Sequence, residues 1–302
     1  MVRPKLLRSR WKTNFFRLRE TNLTEACSLM DMSRCPTLIA MLGFAFLGVS
    51  ASTATAGDFA IYIRGLAGIS RSFETTFEDT DCASVNPAAY FGCNSGEDGN
   101  PIGAYGDFGQ STLFEAGLGV ELTDYLRVEA VLDYRPGFAF DGNANFLRAG
   151  ADQPVSGDVT QMGVMAFAYL EPLAALGIVT PIKPFVGAGA GASRNEISKM
   201  TYEFPALSQP RYSLMPAGDT TSFAWSVVGG AAYDVSDRLT LEVSYRYSDL
   251  GDVRTDEGTL FIQKKSGTLE IPIAETKAEL TEQSIALSVR WRIWSNVRMG
   301  VE

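Results

Sequence analysis

Histidine is absent from all 302 residues, cysteine occurs only four times, and no window reaches 18 consecutive apolar residues. The first absence removes Ser-His-Asp and Cys-His catalysis and most zinc and haem sites, all of which need an imidazole. The third excludes a bundle of membrane-spanning helices, each of which needs about 20 predominantly apolar residues. Mean hydropathy is nevertheless +0.02, so apolar residues are plentiful but interspersed with polar ones. The length fits one large domain or two small ones.

What is present is a period of two. In Trp225–Leu250, positions Trp225, Val227, Gly229, Ala231 and Tyr233 alternate with small or polar residues, and Leu239, Leu241, Val243, Tyr245 and Tyr247 do the same. Alternation sustained over two such runs predicts a β-hairpin and excludes an amphipathic helix. Both apolar sets fall on odd numbers, so the connection holds an odd number of residues, and three (Val235, Ser236, Asp237) is the simplest choice. One face is uninterruptedly apolar and aromatic. The other carries Gly, Ala and Ser with Glu242 and Arg246, which suits a crowded concave interior rather than a solvated surface.

The same reading gives six further strands: Phe59–Phe73, Ser111–Leu122, one resuming at Leu126 and running past Tyr134, Val159–Leu170, Ile182–Ser193 and Gln283–Trp294. In the fourth strand, Val159–Leu170, the even set (Met162, Val164, Ala166) and the odd set (Met165, Phe167, Tyr169) are both apolar, so its facing is open. The connections alternate long, short, long, medium, long, short, long. Within the last long one, Thr259–Ile262 and Thr268–Ile273 are expected to pair as a small hairpin. The fold class this predicts is all-β, an eight-stranded antiparallel transmembrane up-and-down β-barrel covering residues 57–294, with a tail at 295–302. An even strand count puts both termini on the periplasmic side with the short turns. Many of the 29 glycines fall inside strands, where they relieve crowding in a small barrel.

Residues 1–31 are strongly basic and carry no strand pattern. From Met32 the text changes: Arg34 is a positive start, Leu38–Val49 is apolar, and Ala54-Thr55-Ala56 is a small-x-small pattern. Residues 32–56 read as a secretory signal peptide, cleaved between Ala56 and Gly57. The first 31 residues then read as a basic extension ahead of a true start at Met32 or Met30. Without residues 1–56 the chain holds 18 basic against 32 acidic residues, a balance that disfavours nucleic acid as a partner.

The last strand, IALSVRWRIW, resembles the C-terminal assembly signal of bacterial outer-membrane proteins, although SNVRMGVE follows Trp294. KPFVGAGAGAS and LEVSYRYSDLG resemble the corresponding strands of OmpA-like and opacity-type barrels, the porin-like surface antigens. The resemblance spans about residues 57–294. It implies a Gram-negative outer-membrane location with extracellular loops and periplasmic termini. The partners it implies are membrane lipid and lipopolysaccharide, the barrel-assembly machinery acting through the last strand, and an unidentified extracellular partner of the loops. No cofactor is implied, and no peptidoglycan-binding domain of the OmpA kind is expected after the last strand. Outer-membrane enzymes of comparable size resemble one another in using a catalytic histidine, so this chain is not expected to be an enzyme.

Three residue sets follow. Cys82 and Cys93, the two cysteines left after processing, sit in one long loop in an oxidising compartment and are expected to form a disulfide, worth about 3 kcal/mol on the chain-entropy account. Glu115, Glu121, Arg127, Glu129, Asp133, Arg135, Glu242, Arg246 and Arg290 are expected in the lumen. They read either as a selective ion path or as an interlocking plug, and a bore only wide enough for side chains favours the plug. Tyr125, Tyr134, Trp225, Tyr233, Tyr245, Tyr247, Trp291 and Trp294 are expected to form interfacial girdles, though a soluble ligand-binding barrel would bury some of them equally well. No metal set emerges: the acidic first loop lacks the alternating ligand spacing of a calcium loop.

Overall fold

The computed structural model describes residues 59–81, 94–207 and 211–295. The expected cleavage site at Ala56 and Gly57, the Cys82–Cys93 pair and the tail after Ser295 lie outside the described residues. In chain order the strands are β1 (Ala60–Ser72), β2 (Glu74–Asp79), β3 (Ala104–Asp107), β4 (Gln110–Glu121), β5 (Leu126–Ala144), β6 (Pro154–Leu170), β7 (Ile182–Ile197), β8 (Thr201–Phe204), β9 (Arg211–Leu214), β10 (Gly218–Asp234), β11 (Leu239–Arg254), β12 (Gly258–Lys264), β13 (Gly267–Ile273) and β14 (Thr276–Ser295). One helical turn, α1 (Pro172–Ala175), lies between β6 and β7.

Eight of these, β1, β4, β5, β6, β7, β10, β11 and β14, pair antiparallel in that order. β14 then returns to β1, from Ala60 opposite Ser295 to Ser72 opposite Glu282. The ring is closed. Six of its strands run longer than expected toward the long-connection end: for example, β5 continues to Ala144, β11 to Arg254, and β14 begins at Thr276. Parts of the long segments expected as loops are strands as well. β2 and β3 bridge β14 to β5, and β8, β9, β12 and β13 extend the sheet from β6. β12 and β13 are the small hairpin expected at Thr259–Ile262 and Thr268–Ile273, whereas β2, β3, β8 and β9, four to six residues each, carry too few alternations to register as strands.

Two tight turns close the opposite end in the same way. Thr123 Oγ1 accepts from the backbone N–H groups of Tyr125 and Leu126, and Ser236 Oγ accepts from those of Arg238 and Leu239. The second turn is a correction. Val235 N donates to Leu239 O, so the three-residue loop is Ser236–Arg238, one position later than expected, while the odd parity holds. The hydroxyl at the first loop position fixes the choice.

Within the ring the chemistry is inside-out. Leu241 and Val243 are 45% and 47% exposed on the outer wall, while Glu242 between them is 3% exposed. The open facing of Val159–Leu170 is settled: Met165, Phe167 and Tyr169 point inward and Met162 outward. Toward the long-connection end the pattern inverts along single strands. On β5, Arg127, Glu129, Asp133 and Arg135 face inward below a register shift between Arg135 and Phe138. Above it, Phe138 and Phe140 face inward and Asp141 and Asn143 outward. Pro136 and Gly137 supply the extra residue, without which the two phenylalanines would point the other way.

Glycine is placed against bulk. Gly119 lies opposite Tyr62, Gly187 opposite Tyr169, and Gly189 opposite Phe167. A Cβ at Gly189 would sit 2.5 Å from the Phe167 ring, with no other group among its three nearest contacts. Gly189→Ala is expected to destabilise the barrel by about 1–3 kcal/mol through overpacking. In a Phe167→Ala background the same change should cost far less, and urea titrations followed by folded-band gel mobility measure both arms of this cycle.

Candidate functional site

All nine sequence-derived lumen charges converge in the bore. Glu115, Arg127, Glu129, Asp133, Arg135, Glu242, Arg246 and Arg290 are buried, and Glu121 lies at the rim nearest the tight turns. Because β-strand side chains alternate, one parity class from each strand meets across the ring. At the rim, Arg290 Nη1 donates to Glu121 Oε1 at 2.7 Å, and Arg292 Nε to Glu121 Oε2 at 3.1 Å. Deeper, Arg127 and Arg290 approach Glu242 at 3.2 and 3.4 Å, and Ser288 Oγ donates to that carboxylate at 2.9 Å. At mid-bore, Glu115 accepts from Arg246 Nη2 at 3.0 Å and Arg64 Nη2 at 3.1 Å. Arg64 Nε also donates to Glu129 at 2.6 Å. At the far side of the network, Arg135 donates to Asp133 at 2.6 Å, Gln161 at 2.6 Å and Glu282 at 2.9 Å.

Aromatic rings finish the filling. The Arg127 guanidinium lies 4.0 Å from the Tyr169 ring centroid, and Arg246 lies 4.9 Å from that of Phe167. These are cation–π distances in a site without bulk water. Tyr62 Oη donates to Glu129 Oε2 at 2.9 Å. Arg64, Tyr62, Tyr169, Gln161 and Glu282 are absent from the sequence-derived set. Arg64 shares the inward parity of Tyr62 but stands among Ala60, Leu66 and Gly68, so no dense charge pattern marks it. Glu282 lies one residue before the expected strand start at Gln283.

Beyond the charged tier the bore holds an apolar one. Phe77, Phe108, Phe138, Phe140, Leu250 and Leu280 belong to one buried cluster. The Phe77 and Phe140 rings meet edge-on at 4.9 Å. A cavity beside Phe77, Ile102, Phe146 and Tyr202 measures about 10 Å³, room for a single water at most. At the tight-turn end a larger vestibule of about 430 Å³ opens below Arg290 and Arg127.

The sequence-derived aromatic set divides between two levels of the outer wall. Tyr125, Tyr233, Trp291 and Trp294 lie toward the tight turns, and Tyr134, Trp225, Tyr245 and Tyr247 toward the long connections. All are exposed except Tyr247, which is half-buried. Their polar atoms find partners there: Trp225 Nε1 donates to Asp249 at 3.2 Å, and Tyr245 Oη to Gln283 at 2.8 Å.

The family model of the outer membrane protein beta-barrel domain matches residues 41–292. An outer membrane protein of Gluconacetobacter diazotrophicus is 29% identical over 99 residues, covering 33% of this chain and 25% of that protein. An uncharacterized protein of Brucella abortus is 27% identical over 146 residues, covering 44% of this chain and 50% of that one. The chain thus spans between a quarter and half of the length of these curated relatives. Among solved structures, Neisserial surface protein A is similar at 16% identity and TM-score 0.32, over 78% of this chain and 99% of that one. OprG from Pseudomonas aeruginosa is similar at 14% identity and TM-score 0.43, over 78% and 96%.

Glu115 is the carboxylate shared by two buried guanidinium groups. Glu115→Ala leaves both without it and is expected to cost about 3–5 kcal/mol of stability. Adding Arg246→Met should return part of that loss, as read from urea midpoints of the refolded barrel.

Proposed function

The chain belongs to the outer membrane protein β-barrel domain family, and from that premise we propose that it is a structural surface barrel whose bore is closed rather than a solute channel. The observation that carries this is the two-tier filling of the lumen, paired charges below and packed phenyl rings above. An ion would have to separate guanidinium–carboxylate pairs at mid-bore and then cross the apolar tier. An apolar solute would meet the opposite obstacle, because the charged tier lies in line with the phenyl cluster. The tiny cavity beside Phe77 leaves such a solute no room.

In this reading the tight turns and both chain ends of the barrel, the start of β1 and the end of β14, face the periplasm, and the β2–β3, β8–β9 and β12–β13 extensions face outward. That is the usual disposition of short turns and long loops. The extensions are rich in carboxylates, among them Glu74, Glu78, Asp107, Glu203 and Glu270. Divalent cations bridge such groups to anionic lipopolysaccharide, and a further loop partner binds on the same side. β14 is recognised by the barrel-assembly machinery through its alternating apolar residues and terminal aromatics. No catalytic role is assigned.

Planar bilayers containing the refolded protein are expected to stay silent across ±100 mV, a range chosen because it spans about 2.3 kcal/mol per elementary charge at each limit. Reproducible single-channel steps in the wild type would overturn the closed-bore reading.

A further inference from the structure

The vestibule at the tight-turn end is bordered by Glu121, Asp124, Glu171, Asp234, Lys183, Arg290 and Arg292, with Phe59, Tyr125, Leu173 and Ile178 supplying apolar wall. Each of its cations already has a carboxylate, Arg127 on the inner wall lying 3.2 Å from Glu242. Lys183 Nζ donates to Asp234 at 2.7 Å, Arg290 donates to Glu121, and Arg292 donates to Glu121 and, at 2.8 Å, to the carbonyl of Asp237. Two of the carboxylates are also supplied with donors, since Asp234 additionally accepts from Thr240 at 2.6 Å.

Glu171 is the exception. Its side chain is 10% exposed, it makes no side-chain cap to α1, and its nearest cation is Arg290 Nη2 at 3.9 Å. Its backbone is held on both sides, with Glu171 N donating to Tyr125 O at 2.8 Å and Ala175 N donating to Glu171 O at 3.0 Å. The carboxylate is therefore fixed at the cavity wall with no hydrogen-bond donor among the described residues. Burial pushes its carboxyl up, against the opposing pull of Arg290, Lys183 and Arg127, as expected of an acid short of partners. Asp124, in the neighbouring turn, is exposed and makes no ion pair among the described residues.

We propose that this vestibule binds an aliphatic polyammonium cation, with Glu171 taking one ammonium group and Asp124 a second at the rim. An anion is disfavoured because Arg290 and Arg292 are occupied by Glu121. A bare divalent metal is disfavoured because it needs six or more oxygens, and no group of three metal-ligating side chains occurs among the described residues. A flexible alkyl amine supplies both missing elements, donors for the carboxylates and methylenes for Leu173 and Ile178. A cavity of this volume is within the range of small-molecule sites, roughly 300–1,000 Å³.

Isothermal titration of the purified full chain in detergent micelles with spermidine tests this. Saturable binding is expected, weakened at least tenfold in Glu171→Gln and unchanged in Asp152→Asn, an exposed carboxylate at the opposite end, with gel mobility confirming that each variant folds. Citrate should not bind. The absence of saturation, equal binding by Glu171→Gln, or citrate binding in place of spermidine would each overturn the assignment.

Discussion

The closure of β14 onto β1 is the constraint on which the remaining structure depends. A sheet in hydrocarbon must pair every backbone N–H and C=O within itself, and only a ring has no edge to leave open. Eight strands then fix a bore no wider than the side chains pointing into it. Filling that bore is a packing problem with a small tolerance. The chain solves it by setting large inward residues against glycine on the adjacent strand, Tyr62 against Gly119, Phe167 against Gly189 and Tyr169 against Gly187. The glycine-rich Gly187–Gly191 stretch of β7 is therefore the complement of the aromatic inward face of β6.

Charge in such a bore is costly unless matched, since desolvation of each ion runs to several kcal/mol. Part of the matching runs between strands that are not neighbours. Glu115 on β4 meets Arg246 on β11, and Arg135 on β5 meets Glu282 on β14, in each case across two intervening strands of the ring. Arg127 on β5 reaches Glu242 on β11 across three. A one-residue slip anywhere in the ladder would turn one member of such a pair toward lipid. The network thus discriminates against wrong registers, whatever its net contribution to stability.

Alternation made most of the ring legible, while β6, apolar on both faces, left its facing open. The nine lumen charges were readable for the same reason: each sits at inward parity on a strand with an unbroken apolar outer face. Legibility failed where the signal is three-dimensional. Arg64 is one charge in an otherwise bland inward set, and only the positions of Glu115 and Glu129 on other strands give it a role. The facing of β6 depended on which set meets the glycines of β7, a pairing that no single strand contains. The Ser236–Arg238 loop was displaced by one residue because parity constrains loop length and not loop position. β2, β3, β8 and β9 were hidden by their length, four to six residues each.

The inversion of side-chain chemistry gives the ring an internal marker of depth. Below it the outer wall is apolar and the inside is charged, as on β14, where Leu287 and Ile285 face outward beside Ser284 and Glu282 within. Above it Leu280 and Ala278 turn inward while Glu279 and Lys277 face outward. β7 changes at the same level, with Arg194 and Glu196 outward and Ile197 inward. A wall bathed in lipid must be apolar outside, whereas a wall bathed in water buries its apolar residues within. These extended strands therefore obey two solvents in sequence, and the level where they switch is where the hydrocarbon ends. The register shifts on β5 after Arg135 and on β11 after Asp249 fall at this boundary. On β11, Gly251 adopts a left-handed φ of 75°, and Asn195 Nδ2 donates to the carbonyls of Leu250 and Asp252 at 2.9 Å each. The backbone groups freed by the bulge are thereby satisfied, which is what allows one continuous strand to serve a membrane barrel at one end and a water-facing one at the other.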